Sequence, residues 1–574
     1  MYKDNSYYTK ERNAQIVLSL LKEKGIRKVI ASPGTTNIAI VGSMQHDPFF
    51  EMYSAPDERS AGYLACGLSA ESGEPVVLTC TGATASRNYL PALTEAYYRK
   101  LPIVALTSSL EINRSGHLFP QFIDRTFQPK DTVKCSVQIP PITSSNQEWE
   151  CVVKTNQALL ELERNGGGPV HINLMTAGEF TDFSTKVLPQ VRNITRYTYC
   201  SDFPLLPFGK IAIFVGAHKQ MSEELTKTID NFCAYHDCIV YCDHTSGYNG
   251  NFKVLSALIA SQKNMQDMFS PDLLIHIGEV SGDYYTLPQL KLNCKEVWRI
   301  NPDGEIRDYF RKLTKVFEIE EIDFFKRYVE IRHATTTQNV YYGVCQRKIQ
   351  EIRKRIPNLP FSNLWMASIL SKEIPHNSVL HFGILNSLRA WNFFELDKTI
   401  TTSCNVGGFG IDGCLSTLIG ASIASPNKLC FGILGDLAFF YDMNVLGNRH
   451  IKGNLRILLV NNGKGTEFRN YSHPASSLGN EADDYIAAAR HYGNQSPNLV
   501  RNYANDLGYT YLSASTKEDF LNQIQNFVDK SSQKSIIFEV FTNNENESDA
   551  LQKLREMSDT TKDKVKSVVK KAIH

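Results

Sequence analysis

The stretch LGDLAFFYDMNVLGNRHIKGNLRILLVNNGKG, Leu434–Gly465, begins at the end of one apolar run, CFGIL, and closes just after another, RILLV. Gly435-Asp436 follows the first run and Asn461-Asn462 follows the second. Twenty-five positions separate Asp436 from Asn461, enough for one crossover helix between neighbouring parallel strands. Such a unit delivers the Asp436 carboxylate and the Asn462 carboxamide to the same edge of a sheet. Two hard oxygen donors beside a small-residue loop suit Mg²⁺, which keeps water and takes one or two protein carboxylates together with phosphate oxygens. Glycines at 435, 463 and 465 permit close backbone approach, and a helix starting at Asp436 offers the amides of Leu437 and Ala438 to a phosphate. Taken alone, Asp436 also reads as a helix cap and Asn461-Asn462-Gly463 as a turn.

The same strand–helix alternation extends over the whole chain, in three segments. RKVIASPG, PVVLTCTG, PIVALTSS and GGGPVHINLM supply strands to the first. GKIAIFVGAH, CIVYCDHTSG, PDLLIHIGEV and EVWRINPDG supply the second. SVLHFGI, KLCFGILGD, LRILLVNN and SIIFEVF supply the third. A charged helical linker, QNVYYGVCQRKIQEIRKRIPNLP, leads into the third segment. The expected class is therefore α/β, with three doubly wound parallel-sheet domains at 1–185, 186–345 and 346–545 and a polar, lysine-rich tail at 546–574. Ligands of such sheets gather at the carboxyl ends of the strands. The turn after IFVGAH lacks a GxGxxG fingerprint, so a nicotinamide or FAD is not expected.

The bulk numbers agree. A chain of 574 residues, at roughly 100–200 residues per domain, holds about three domains. With 42% hydrophobic and 21% charged residues, it has enough apolar side chains for real cores, and a net charge of +1 gives no electrostatic footing for nucleic acid or an anionic membrane. The opening residues MYKDNSYYTKERNAQIVLSLLKEKG carry charges throughout, unlike a secretory leader. No apolar run reaches the roughly 18 residues of a membrane span. The thirteen cysteines include no CxxC pair, so the expectation is a cytoplasmic protein with reduced thiols.

The Gly-Asp and Asn-Asn pairs, following a first domain that carries a glutamate at Glu58, resemble the thiamine-diphosphate (ThDP) enzymes. SPGTTNIAI, DERSAGYLACGLSAESGEPVVLTCTGATASRNYLPALTEA, WRINPDGEIRD, NSLRAW, NVGGFGIDG and GDLAFFYDMN together resemble the SEPHCHC synthases of menaquinone biosynthesis. The resemblance implies pyrimidine-binding, central and diphosphate-binding domains. It also implies cofactor sites between subunits of a homodimer or homotetramer. Glu58 then hydrogen-bonds N1′ of the aminopyrimidine and promotes loss of the thiazolium C2 proton. On the residues alone, Glu58 equally reads as an acid in a first helical turn capped by Asp57 or Ser54.

In the same resemblance Asp436, Asn462 and the carbonyl of Lys464 are the ligands of Mg²⁺, with Mn²⁺ as a substitute. Ile411 bends the cofactor, flanked by Gly410 and Asp412. Thr81, Gly82 and Asn88 lie near the ring, and Ser387, Gly435, Leu437 and Ala438 complete the cofactor set. The implied substrate positions are Ser32, Thr35, Thr36, Ser109, His117, Gln121, Arg389, Trp391 and Val406. Here the chain departs from the pattern. Thr36, Ser109, Trp391 and Val406 stand where the SEPHCHC synthases carry basic residues, and Asp283 stands near a lysine position. Carboxylate recognition depends on such forks, so the implied reaction is decarboxylation of a 2-oxo acid and carboligation of the acyl unit to an acceptor, on a different, less anionic substrate. A simple decarboxylase releasing an aldehyde, a true SEPHCHC synthase, an acetolactate-synthase-like flavoenzyme and a non-catalytic scaffold are the alternatives. The small-molecule donor and acceptor are not legible.

Overall fold

The computed structural model describes residues 7–178, 180–330 and 340–558. The chain divides into two compact units, residues 1–197 with 305–316, and residues 198–304 with 317–574.

The first unit is built on a six-stranded sheet in the order Glu51–Ser54, Lys28–Ala31, Val76–Cys80, Ile103–Ser109, Val170–Met175, Cys135–Ile139. Every neighbouring pair is parallel, with registers such as Val76↔Ile103 and Val104↔Val170. Val76–Cys80 is buried at every position, and so is Val170–Met175. That is why these runs are continuously apolar rather than alternating. Helix Arg12–Glu23 lays Ile16, Val17, Leu20 and Leu21 on one face of the sheet beside Val104 and Ile172. Helix Glu58–Ser72 covers the other face through Ala61, Ala65 and Cys66, against Leu78 and Ala105. Its small side chains let helix Leu90–Arg99 come close: a Cβ at Gly62 would stand 2.5 Å from that of Ala92. Asp57 caps its first turn by accepting from the Ser60 amide at 2.7 Å, and Gly73 ends it in the left-handed region at φ 68°.

The second unit carries two parallel arrays. In one, the strands run Lys253–Leu255, Cys238–Cys242, Ile211–Val215, Leu273–Ile277, Glu296–Ile300. The other is six-stranded, in the order Thr401–Cys404, Val379–Phe382, Cys430–Gly435, Leu455–Asn461, Ile536–Phe541, Thr510–Ala514. The latter repeats the strand order of the first unit's sheet. The two arrays are joined through His244, whose ring meets the carbonyls of Trp391 and Phe394, while its amide donates to Asn392 Oδ1 at 3.0 Å. The linker forms helix Val340–Arg353, and the tail begins as helix Asn544–Arg555. The lysine-rich end beyond residue 558 lies outside the described residues. Among the described residues no helix is long and apolar enough to cross a membrane.

Candidate active site

The site expected from Asp436 and Asn462 lies at the carboxyl ends of two adjacent strands, Cys430–Gly435 and Leu455–Asn461, paired Leu434↔Leu459 and Gly435↔Val460. Helix Asp436–Asp442 starts where the first strand stops. Asp436 is buried, its Oδ1 accepting from the Leu437 amide at 2.8 Å and its Oδ2 from the Gly463 amide at 2.6 Å. Burial pushes its carboxyl up to about 6, against the pull of those backbone donors. Asn462 is also buried. Its Nδ2 points at Thr466 Oγ1 at 3.4 Å, and its Oδ1 has no hydrogen-bond partner among the described residues. A buried amide oxygen without a partner costs roughly 1–3 kcal/mol, so this site is built for a donor or cation that the protein does not supply.

Asp436 and Asn462 share a cavity of about 110 Å³ with Ser387, Ile411, Gly435, Leu437, Ala438 and Lys464. All eight are residues singled out in the sequence. Gly410 and Asp412 flank Ile411 outside this lining; a Cβ at Gly410 would meet Asp412 Oδ1 at 2.3 Å. The Lys464 ammonium is turned to Asp483 at 2.8 Å, which leaves its carbonyl as the group available to the site. Sequence reading missed Asn386, Thr466, Glu467 and Glu547, which line the same cavity. Glu547 accepts from the Asn363 amide at 3.0 Å and from Thr542 Oγ1 at 2.9 Å. It arrives from helix Asn544–Arg555, and nothing local in NENESD marks it.

Arg389 lines a neighbouring cavity of about 360 Å³. Its Nη1 pairs with Glu467, its guanidinium lies 3.3 Å over the Tyr284 ring, and its Nε and Nη2 have no partner among the described residues. Trp391 and Val406 do not reach either cavity. Trp391 is fully buried beside Phe382, at 5.6 Å between ring centroids, and Val406 is buried near Leu388 and Gly282. Asp283 is buried too, and its Oδ1 accepts from the Tyr285 and Thr286 amides. It caps a turn where a lysine was the expected residue, and burial pushes its carboxyl up to about 6.

In the first unit, Thr36, Thr81, Gly82, Ser109 and Gln121 line one cavity of about 60 Å³. They come from the ends of three adjacent strands and one loop. The Thr36 and Thr81 hydroxyls lie 2.5 Å apart, and Thr36 Oγ1 also donates to the Ser108 carbonyl at 3.0 Å. Ala83 holds the loop with φ 56°, a strained conformation of the kind that collects at functional turns. Ser32 lies behind, its amide donating to Thr79 O at 2.9 Å. Thr35, Asn88 and His117 are exposed and outside this cavity. Arg114 stacks on Phe119 at 5.4 Å. Glu58 is the half-buried first residue of its helix. The cap reading of Asp57 is therefore realised, and it leaves the Glu58 carboxylate uncommitted to the cap. Sequence reading missed Arg125, a buried residue that lines this cavity along with Gln138 and Asn173.

The model of the thiamine pyrophosphate enzyme N-terminal TPP-binding domain matches residues 12–129. The chain is 30% identical to the 2-succinyl-5-enolpyruvyl-6-hydroxy-3-cyclohexene-1-carboxylate synthase of Bacteroides fragilis, over 93% of this chain and 97% of that one. It is 31% identical to the enzyme of that name from Bacteroides thetaiotaomicron, with the same coverage. For Phocaeicola vulgatus the identity is 29%, over 95% of this chain and 98% of the relative. With three parallel arrays, a strand-end Asp–Asn pair and these relatives along nearly its whole length, the chain belongs to the thiamine-diphosphate-dependent enzymes, in the family of the 2-succinyl-5-enolpyruvyl-6-hydroxy-3-cyclohexene-1-carboxylate synthases.

Proposed function

We propose that the chain is a ThDP- and Mg²⁺-dependent enzyme that decarboxylates a 2-oxo acid and joins the remaining acyl unit to an acceptor. Residues 1–185, 186–345 and 346–545 serve as its pyrimidine-binding, central and diphosphate-binding domains, and it works in the cytoplasm. The observation that carries this reading is the buried, unpartnered Oδ1 of Asn462, one residue from the amide that holds Asp436. With the Lys464 carbonyl these oxygens form a hard donor set that suits Mg²⁺ or Mn²⁺. Among the described residues no three His, Cys, Asp or Glu side chains cluster as a metal cage. A set of one carboxylate, one carboxamide and one carbonyl belongs to an ion that shares its shell with phosphate.

When bound, the cofactor supplies the electron sink for the carbanion left by departing CO₂. The chain's residues do the rest. Asp436 and Asn462 would hold the cation, and the Leu437 and Ala438 amides would be on offer to the cofactor's phosphates. Ile411 would lie against the cofactor as an apolar support. Glu58 would share a proton with the aminopyrimidine ring. The helix that Glu58 opens leaves Tyr63 and Leu64 about half exposed, which is the kind of surface a second subunit covers. This supports a homodimer or a homotetramer.

The substrate is proposed to be less anionic than that of the named relatives. Trp391 and Val406 are core residues, and Thr36 and Ser109 are neutral. Purified protein with ThDP and Mg²⁺ should release CO₂ from monocarboxylic 2-oxo acids in a cofactor-dependent manner. Efficient formation of SEPHCHC from 2-oxoglutarate and isochorismate would overturn the substrate assignment.

A further inference from the structure

One buried residue lining the first unit's cavity is an arginine with no counter-ion among the described residues. Arg125 is 5% exposed, its Nη2 donates to the Ser108 carbonyl at 3.3 Å, and its buried Nη1 has no partner among the described residues. Among the described residues no carboxylate pairs with it, and the groups acting on its charge are the Cys80 thiol and a second cation, Arg87. Among the described residues, none that lines the cavity is acidic. Ser109 Oγ accepts from Asn173 Nδ2 at 3.2 Å, so its own proton is free to donate. Gln121, at the exposed mouth, has left-handed backbone at φ 63°, an uncommon state for a residue with a side chain. A buried cation left uncompensated is strongly unfavourable, and an entering anion removes that cost. The cavity of about 60 Å³ exceeds the roughly 10–15 Å³ that one water requires, leaving space for a carboxylate.

We propose that Arg125 is the anion-recognition residue of this cavity and binds one carboxylate of a small organic acid, assisted by the Ser109 hydroxyl. It reaches the cavity from the loop that carries Gln121, whereas position 109 ends a strand and position 36 lies in the turn after one. One guanidinium replaces several, so the site selects a ligand with a single carboxylate at this end. Identifying that acid with the 2-oxo acid donor rests on the function proposed above; the binding site itself does not.

The test is calorimetric titration of the full-length protein with pyruvate, without cofactor, in wild type, Arg125→Gln, Arg125→Lys and Ser109→Asp. Arg125→Gln should weaken pyruvate binding about ten- to a hundredfold, the worth of a charged hydrogen bond, and Arg125→Lys should recover part of it. Ser109→Asp places an internal carboxylate against the arginine. It should abolish pyruvate binding and raise the melting temperature, so the proposal stays testable if Arg125→Gln fails to fold. Pyruvate binding that is absent in wild type, or unchanged in Ser109→Asp or a folded Arg125→Gln, overturns it. ThDP titrated separately with Mg²⁺ reports on the proposed function alone. A protein that binds pyruvate through Arg125 but no ThDP sinks that function and leaves this site standing.

Discussion

The Gly463 amide donates to Oδ2 of Asp436 at 2.6 Å, which ties the loop after one strand to the carboxylate after its neighbour. That bond brings the unpartnered Asn462 oxygen to the same place. Asn462→Ala removes the oxygen but leaves the Asp436–Gly463 bond. ThDP affinity measured in Mg²⁺ should fall about tenfold or more, the worth of a charged contact, with the melting temperature of the cofactor-free protein unchanged or higher. An unaltered affinity would remove Asn462 from the ligand set.

Glu58→Gln keeps the size of the side chain and the Asp57 cap. Calorimetry should find ThDP affinity within a few-fold of wild type. CO₂ release should drop by about 10²–10⁴, the range for loss of a positioned acid–base group. Full turnover would return Glu58 to the role of a first-turn acid.

Trp391 packs beside Phe382 with no exposed surface. Trp391→Ala should cost about 3–5 kcal/mol, read as a lower unfolding midpoint in urea. Trp391→Arg should destabilise the protein at least as much, because it buries a charge without a partner. A Trp391→Arg protein as stable as wild type would place this position at the substrate rather than in the core.

His171 bridges the Thr107 and Ser136 hydroxyls at 2.8 Å each. Burial, then the charges of Arg125 and Arg87, lowers its imidazolium to about 3. Between that value and the unfolded value near 6.5, the unfolded chain binds the extra proton, so stability falls as the pH drops through this window. From pH 7 to 5 the loss is about 2 kcal/mol. His171→Gln, which does not titrate, should lose correspondingly less over that range in urea titrations. Equal losses in the two proteins would refute the assignment of a neutral His171.

Most of the strands that were legible in the sequence pair with a neighbour on both sides. Glu51–Ser54, Cys135–Ile139, Lys253–Leu255, Thr401–Cys404 and Thr510–Ala514 were not, and each stands at the edge of its array or pairs on one side in the register described. An edge strand is half covered, so its sequence lacks the continuous apolar run that marks Val76–Cys80 or Leu455–Asn461. The Asp436–Asn462 pair was legible because both residues follow strands directly. Glu547 and Arg125 were not. One arrives on a polar helix remote in sequence, and the other hides in FIDRTF, where an arginine in a loop reads as solvated. Trp391 was read as a substrate position by correspondence with a basic residue, whereas its indole fills the core.

If the strand-end pair holds a cation for ThDP, titration of ThDP into wild type and Asp436→Ala, each with Mg²⁺ and with EDTA, should show it. Wild type with Mg²⁺ should bind one ThDP per chain saturably, and binding should be strongly weakened in the other three titrations. No binding to wild type in Mg²⁺, or equal binding to Asp436→Ala, would contradict it.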